Sequence, residues 1–142
     1  MVVKVPATET GLAAIRKIKA ENILVLATAV YSAQQGFLAA LCGADYLAPY
    51  VNRIDAMGAD GVGVVADLQV LLDQHRLDCT ILPASFKNTQ QVMDVLKLGV
   101  GAITLPVDVA AQMFAHPAVQ PAVDQFSHDW QGVFGSKLSF ES

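Results

Sequence analysis

Short apolar runs alternate with amphipathic stretches along this chain, and the alternation predicts its elements. Val2–Val5 is a β-branched run ended by Pro6. Thr8 is a candidate N-cap, with Glu9 favourable to the helix dipole, for a helix over Gly11–Ala20. Leu12, Ile15 and Ile18 recur there at helical spacing. Ile23–Ala27 predicts a second strand, and Ser32–Cys42 a helix stopped by Gly43. Asp45–Ala48 predicts a third strand with Pro49 at its end. A longer connection, Tyr50–Gly58, leads to a helix over Val62–His75. Cys79–Leu82 predicts a fourth strand, Thr89–Leu98 a helix stopped by Gly99, and Ala102–Leu105 a fifth strand ended by Pro106. Two helices follow, Val107–Ala115 and Ala118–Val133, divided by Pro117.

The strands are apolar throughout and each is followed by a helix. Strands buried on both faces and alternating with helices imply one domain over residues 1–142, of class α/β, with a parallel sheet. Two architectures fit: an open doubly wound sheet, or part of a (β/α)8 barrel, which needs eight strands when complete. Periodicity does not choose between them.

Composition narrows the function classes. Hydrophobic residues make up 54% and charged residues 15%, yet no apolar run reaches the ~18 residues of a membrane span. No basic stretch followed by an apolar one opens the sequence, so the cytoplasm is the expected location. A formal net charge of -4 with scattered basic residues gives no reason to bind nucleic acid or an anionic membrane. Cys42 and Cys79 are expected to be buried free thiols. His75, His116 and His128 lack metal-ligand spacing, so no metal is expected.

In either architecture chemistry gathers at the carboxyl ends of parallel strands. Those ends hold Lys4, Thr28, Tyr50 with Arg53, and Ser85 with Lys87. Lys4 lies in an apolar strand with valine on both sides. A desolvated amine there attacks ketones as the free base, whereas an edge lysine snorkels to water; both readings stand. Thr28 and Tyr50 are hydroxyls suited to holding a water or moving a proton, or to ordinary core hydrogen bonding. Arg53 and Ser85 suit a phosphate; the alternative for Arg53 is an ion pair with Asp55 or Asp60. Gly58, Gly61 and Gly63 lack the dinucleotide-binding spacing and predict only a flexible loop.

The segments VVKVPATETGLAAI, ATAVYSAQQG, YLAPYVNRIDAMG, ASFKNTQQVMDVLKLG, ITLPVDVAAQMF and HDWQGVFG resemble the fructose-6-phosphate aldolases within the transaldolase family. The resemblance runs over almost the whole chain in one order. It implies a (β/α)8 barrel and a Schiff-base lysine at Lys4. It gives Tyr50 and Thr28 the catalytic water, and Arg53 and Ser85 the substrate phosphate. The implied reaction is reversible cleavage of fructose 6-phosphate to dihydroxyacetone and glyceraldehyde 3-phosphate, with no cofactor. Transfer of dihydroxyacetone to a second sugar is the alternative within the family. The resemblance further implies a homo-oligomer built through the C-terminal helix. The family's lysine lies on the fourth barrel strand, so three βα units have no counterpart here. The expected fold is therefore a partial barrel of about five parallel strands with a C-terminal helix. An inactive remnant is the matching alternative for function.

Overall fold

The structure, a computed structural model, describes residues 1–138 and 140. Four parallel strands form one sheet: β1 (Val2–Pro6), β2 (Leu24–Val30), β3 (Tyr46–Pro49) and β4 (Thr80–Ile81). Helices α1 (Glu9–Ala20) and α2 (Ala33–Leu41) follow the first two strands. A short α3 (Val51–Ala56) and a longer α4 (Gly61–His75) follow β3. Then come α5 (Thr89–Leu96), α6 (Val107–Gln112) and α7 (Val119–Phe134).

Strand order separates the two architectures that periodicity left open. A doubly wound sheet reverses direction at a switch point, but here the order is simply β1-β2-β3-β4. The connecting helices share one face. α1 packs on β1 and β2, α2 on β2 and β3, and α4 on β3 and β4, with α2 against α4. This is barrel winding, and among the described residues the sheet is not closed. The fold is thus α/β and partial-barrel in kind.

The expected fifth strand is present only as an extended segment. Thr104 N–H donates to the Pro83 carbonyl at 3.1 Å, and Ile103 and Leu105 pack partly buried against the core. Pro83, on the facing segment, has no N–H to return, so no ladder propagates. The connection expected over Tyr50–Gly58 instead contains α3. Its two buried residues, Val51 and Ile54, are three apart, too few to register as a period.

Capping follows the sequence closely. The side chains of Thr8, Ser32, Asp60 and Asn88 accept from Gly11, Gln35, Gly63 and Gln91 N–H groups respectively. Gly43 and Gly99, beyond α2 and α5, take positive φ angles of 97° and 78°.

The core lies between the sheet and the helices. Val5, Val25, Ala27, Leu47 and Ile81 face Ile15, Leu68, Leu72, Val92 and Val95. Side chains alternate along strands, so Val2, Lys4, Leu24, Leu26, Thr28 and Tyr46 occupy the opposite face. On that face Val2 and Leu24 remain 44% and 42% exposed. Helix α7 buries no residue, and Val119, Val123, Phe126 and Trp130 are exposed along it. No helix among the described residues is long and apolar enough to cross a membrane.

One ion pair ties the helix layer to the sheet. Lys19 on α1 donates to both Asp45 oxygens, at 2.7 and 2.8 Å, and Val25 N–H donates to Asp45 at 2.7 Å. Burial opposes ionisation of Asp45, but the Lys19 and Val25 bonds outweigh it and hold the carboxyl below its ordinary value. A depressed folded pKa stabilises the fold above the unfolded pKa, near 3.9, and the contribution fades as pH falls through the folded value. Asp45→Asn is expected to cost about 1 kcal/mol at pH 7 and to remove that acid-side slope, as urea melts between pH 3 and 7 will report.

Cys42 and Cys79 are free thiols, each partly rather than fully buried. Burial, with Asp45 and Asp78 nearby, pushes the Cys79 thiol up to about 12. That thiol is unreactive at neutral pH.

Candidate active site

The sheet delivers its chemistry to the carboxyl ends of the strands. Lys4 is the third residue of β1, paired in register with Leu26 on β2. Its side chain is exposed. Of the two readings of Lys4, the exposure fits the edge lysine, since β1 is an edge strand of the sheet formed by the described residues.

Thr28 lies where β2 departs from regular pairing. The register shifts between Ala27 and Val30, and Ala29 takes a positive φ of 55°. Such a bulge re-aims the neighbouring side chains. Thr28 Oγ1 sits 2.8 Å from the Tyr50 hydroxyl, a bond in which either oxygen can donate. Tyr31 packs edge-on against the Tyr50 ring, with centroids 5.6 Å apart.

Arg53, one turn into α3, lays its guanidinium over the Tyr50 ring, 4.7 Å from the centroid. Hydrogen bonding to Tyr31 pushes its pKa further above the ordinary value, so the cation is permanent. The ion pair with Asp55 or Asp60 does not form. Asp55 accepts from Gly61 N–H and the Gln91 amide, and Asp60 caps Gly63 N–H.

Ser85 follows β4 with φ at 64°, a left-handed conformation that non-glycine residues avoid by roughly 1–2 kcal/mol. Pairing on both sides enforces it. Ala84 N–H donates to Pro49 at 2.9 Å, and Asn52 N–H donates to the Ser85 carbonyl at 2.7 Å.

These elements surround an open cavity of about 390 Å³, whose lining includes Lys4, Tyr50, Asn52, Arg53, Ser85 and Lys87. Four of the five candidates therefore share one space, and Thr28 adjoins it through Tyr50. Among the described residues three cationic side chains line the cavity and no carboxylate does, in a chain of net charge -4. Such a site favours an anionic ligand and offers an amine, a hydroxyl pair and a rigid fork of donors.

The residue-by-residue reading missed Tyr31, Asn52, Gln35 and Gln91. The glutamines carried a legible signal: each stands three residues after an N-cap, the spacing of a capping box. Tyr31 and Asn52 carried none, because their roles depend on contacts across strands.

A second cavity, of about 350 Å³, lies between α7 and the following segment, lined by Phe126, Trp130, Lys137 and others. Trp130 Nε1–H donates to the Lys137 carbonyl at 2.6 Å, which holds that turn. It brings together no comparable set of reactive groups.

A family model described as Transaldolase/Fructose-6-phosphate aldolase matches residues 1–140.

Proposed function

Since the chain belongs to the Transaldolase/Fructose-6-phosphate aldolase family, whose chemistry is of the aldolase or transaldolase type, we propose that it cleaves fructose 6-phosphate through a Schiff base on Lys4. The observation that carries this reading is the shared cavity. Lys4, Tyr50, Arg53, Ser85 and Lys87 line one space, with no carboxylate among the described residues that line it.

In the proposed reaction the Lys4 amine adds to the substrate ketone, one proton is taken up and water leaves, giving an iminium. The iminium accepts the electron pair of the bond between the third and fourth carbons as that bond breaks. The hydroxyl proton on the fourth carbon passes to a base, and glyceraldehyde 3-phosphate departs. The remaining enamine is protonated on carbon, and water releases dihydroxyacetone and the free amine. Exposure of Lys4 leaves its nitrogen open to a ketone from solvent. The Thr28–Tyr50 hydroxyl pair is the proposed holder of the water and relay for the proton. Arg53 and Ser85, with Lys87 beside them, are the proposed phosphate ligands. The same proposal includes assembly of identical chains through α7, supported by its exposed Val119, Val123, Phe126 and Trp130.

The test is product analysis with purified full chain. Expected are glyceraldehyde 3-phosphate and free dihydroxyacetone from fructose 6-phosphate, with kcat/KM about 100-fold below that value for unphosphorylated fructose. Product that forms only after an acceptor aldose is added assigns dihydroxyacetone transfer instead. No product in either assay from folded protein contradicts the proposal.

A further inference from the structure

Two glutamines outside the cavity hold its two ends by the same device. Gln35 and Gln91 are the third residues of α2 and α5, behind the N-caps Ser32 and Asn88. Each side-chain Oε1 accepts a backbone N–H one residue further back than in an ordinary capping box. Gln35 takes Tyr31 N–H at 2.9 Å, and Gln91 takes Lys87 N–H at 3.0 Å. Each Nε2 then donates twice, to groups that have no part in capping the helix. Gln35 donates to the carbonyls of Ala7 and Ala29, at 2.6 and 3.1 Å. Gln91 donates to Asp55 Oδ2 and Asn52 Oδ1, at 2.7 and 3.2 Å. Only a carboxamide offers donors and an acceptor together on a stem of this length.

The bonded groups differ at the two ends. Gln35 joins the end of β1 to the left-handed residue of the β2 bulge. That bulge sets the face from which Thr28 reaches Tyr50. Relaxation of Ala29 to ordinary strand geometry moves the chain by one residue, and a one-residue slip reverses side-chain faces. Gln91 joins the loop carrying Ser85 and Lys87 to α3, which carries Asn52 and Arg53. Asn52 N–H returns the link to the Ser85 carbonyl at 2.7 Å.

We infer that Gln35 and Gln91 are positioning residues with separate duties: Gln35 aligns the hydroxyl pair that moves protons, and Gln91 aligns the groups that grip the anion. This inference rests on the proposed Schiff-base reading for its catalytic half only.

The experiment compares full-chain wild type with Gln35→Met and Gln91→Met, which keep side-chain length and lose the polar ends. Three readouts are taken: deuterium entry from solvent into dihydroxyacetone, affinity for inorganic phosphate, and hydrogen exchange of the Tyr31 and Lys87 amides. Gln35→Met is expected to slow deuterium entry about tenfold and to change phosphate affinity by less than about twofold. Gln91→Met is expected to weaken phosphate about tenfold, with the smaller effect on deuterium entry. Tyr31 should lose amide protection only in the first variant, and Lys87 only in the second. Equal movement of both chemical readouts in both variants, as general loosening would produce, overturns the assignment, as does no movement in either. Gln35→Glu and Gln91→Glu, which keep the acceptor oxygen, should restore the amide protection without the chemical readout. If the wild type takes up no deuterium, the aldolase reading fails on its own. The phosphate and amide readouts then still decide the glutamine assignment by the same split.

Discussion

Lys4→Met is expected to abolish carbon–carbon cleavage, lowering kcat/KM by at least about 10⁴-fold, while the protein melts within about 2 °C of wild type. The two halves of this expectation have separate causes. Without an amine there is no iminium and no electron sink, so no residual route through the same intermediate exists. Lys4 is exposed and on an edge strand, outside the core formed by Val5, Val25 and Leu47. Methionine preserves the stem against the sheet, so little packing changes. Steady-state cleavage of fructose 6-phosphate beside a thermal melt reads both. Full activity in the variant contradicts the role assigned to Lys4. Lost activity with a collapsed melting temperature points to a structural role instead.

The next largest effect is expected from Tyr50→Phe. Its hydroxyl meets Thr28 Oγ1 at 2.8 Å, while its ring packs against Tyr31 and beneath Arg53. Phenylalanine keeps the ring contacts and deletes only the hydroxyl proposed to relay the proton. A loss of about 10²–10³ in kcat is expected, with KM changed by less than about threefold. Thr28→Val should lower kcat in the same direction. The double variant should be little worse than Tyr50→Phe alone, because both changes break one relay. Additive losses indicate that the two hydroxyls act separately. A rise in KM without a fall in kcat places Tyr50 in binding.

Much of this molecule was legible in the sequence because its signals are local. Apolar runs ended by Pro6 and Pro49 located strand positions. Thr8 announced a helix start, and Gly43 and Gly99 announced helix ends. Since parallel βα units put chemistry at strand ends, Lys4, Tyr50, Arg53 and Ser85 stood out before any geometry was known. What escaped depends on distant pairing. Ala102–Leu105 has the composition of a strand, but Pro83 on the opposing segment denies it a ladder. Lys4 has valine neighbours, yet its exposure depends on whether another layer covers that face, which neighbours cannot reveal. At the bulge, the Ala29 carbonyl is bonded by Gln35, six residues on, which also bonds the carbonyl of Ala7 just after β1. Arg53 was read with two acidic candidates nearby in sequence. Its actual neighbour is the Tyr50 ring, because Asp55 and Asp60 are occupied by backbone N–H groups.

The most direct test of the central claim is covalent capture of the Lys4 imine. The purified chain is incubated with dihydroxyacetone and borohydride, digested, and mapped by peptide mass spectrometry, with circular dichroism confirming that it is folded. The predicted result is one reduced adduct on the peptide carrying Lys4, absent from Lys4→Met and formed also when fructose 6-phosphate replaces dihydroxyacetone. An adduct distributed over Lys87, Lys97 and other surface amines, or no adduct on folded protein, would contradict the assignment.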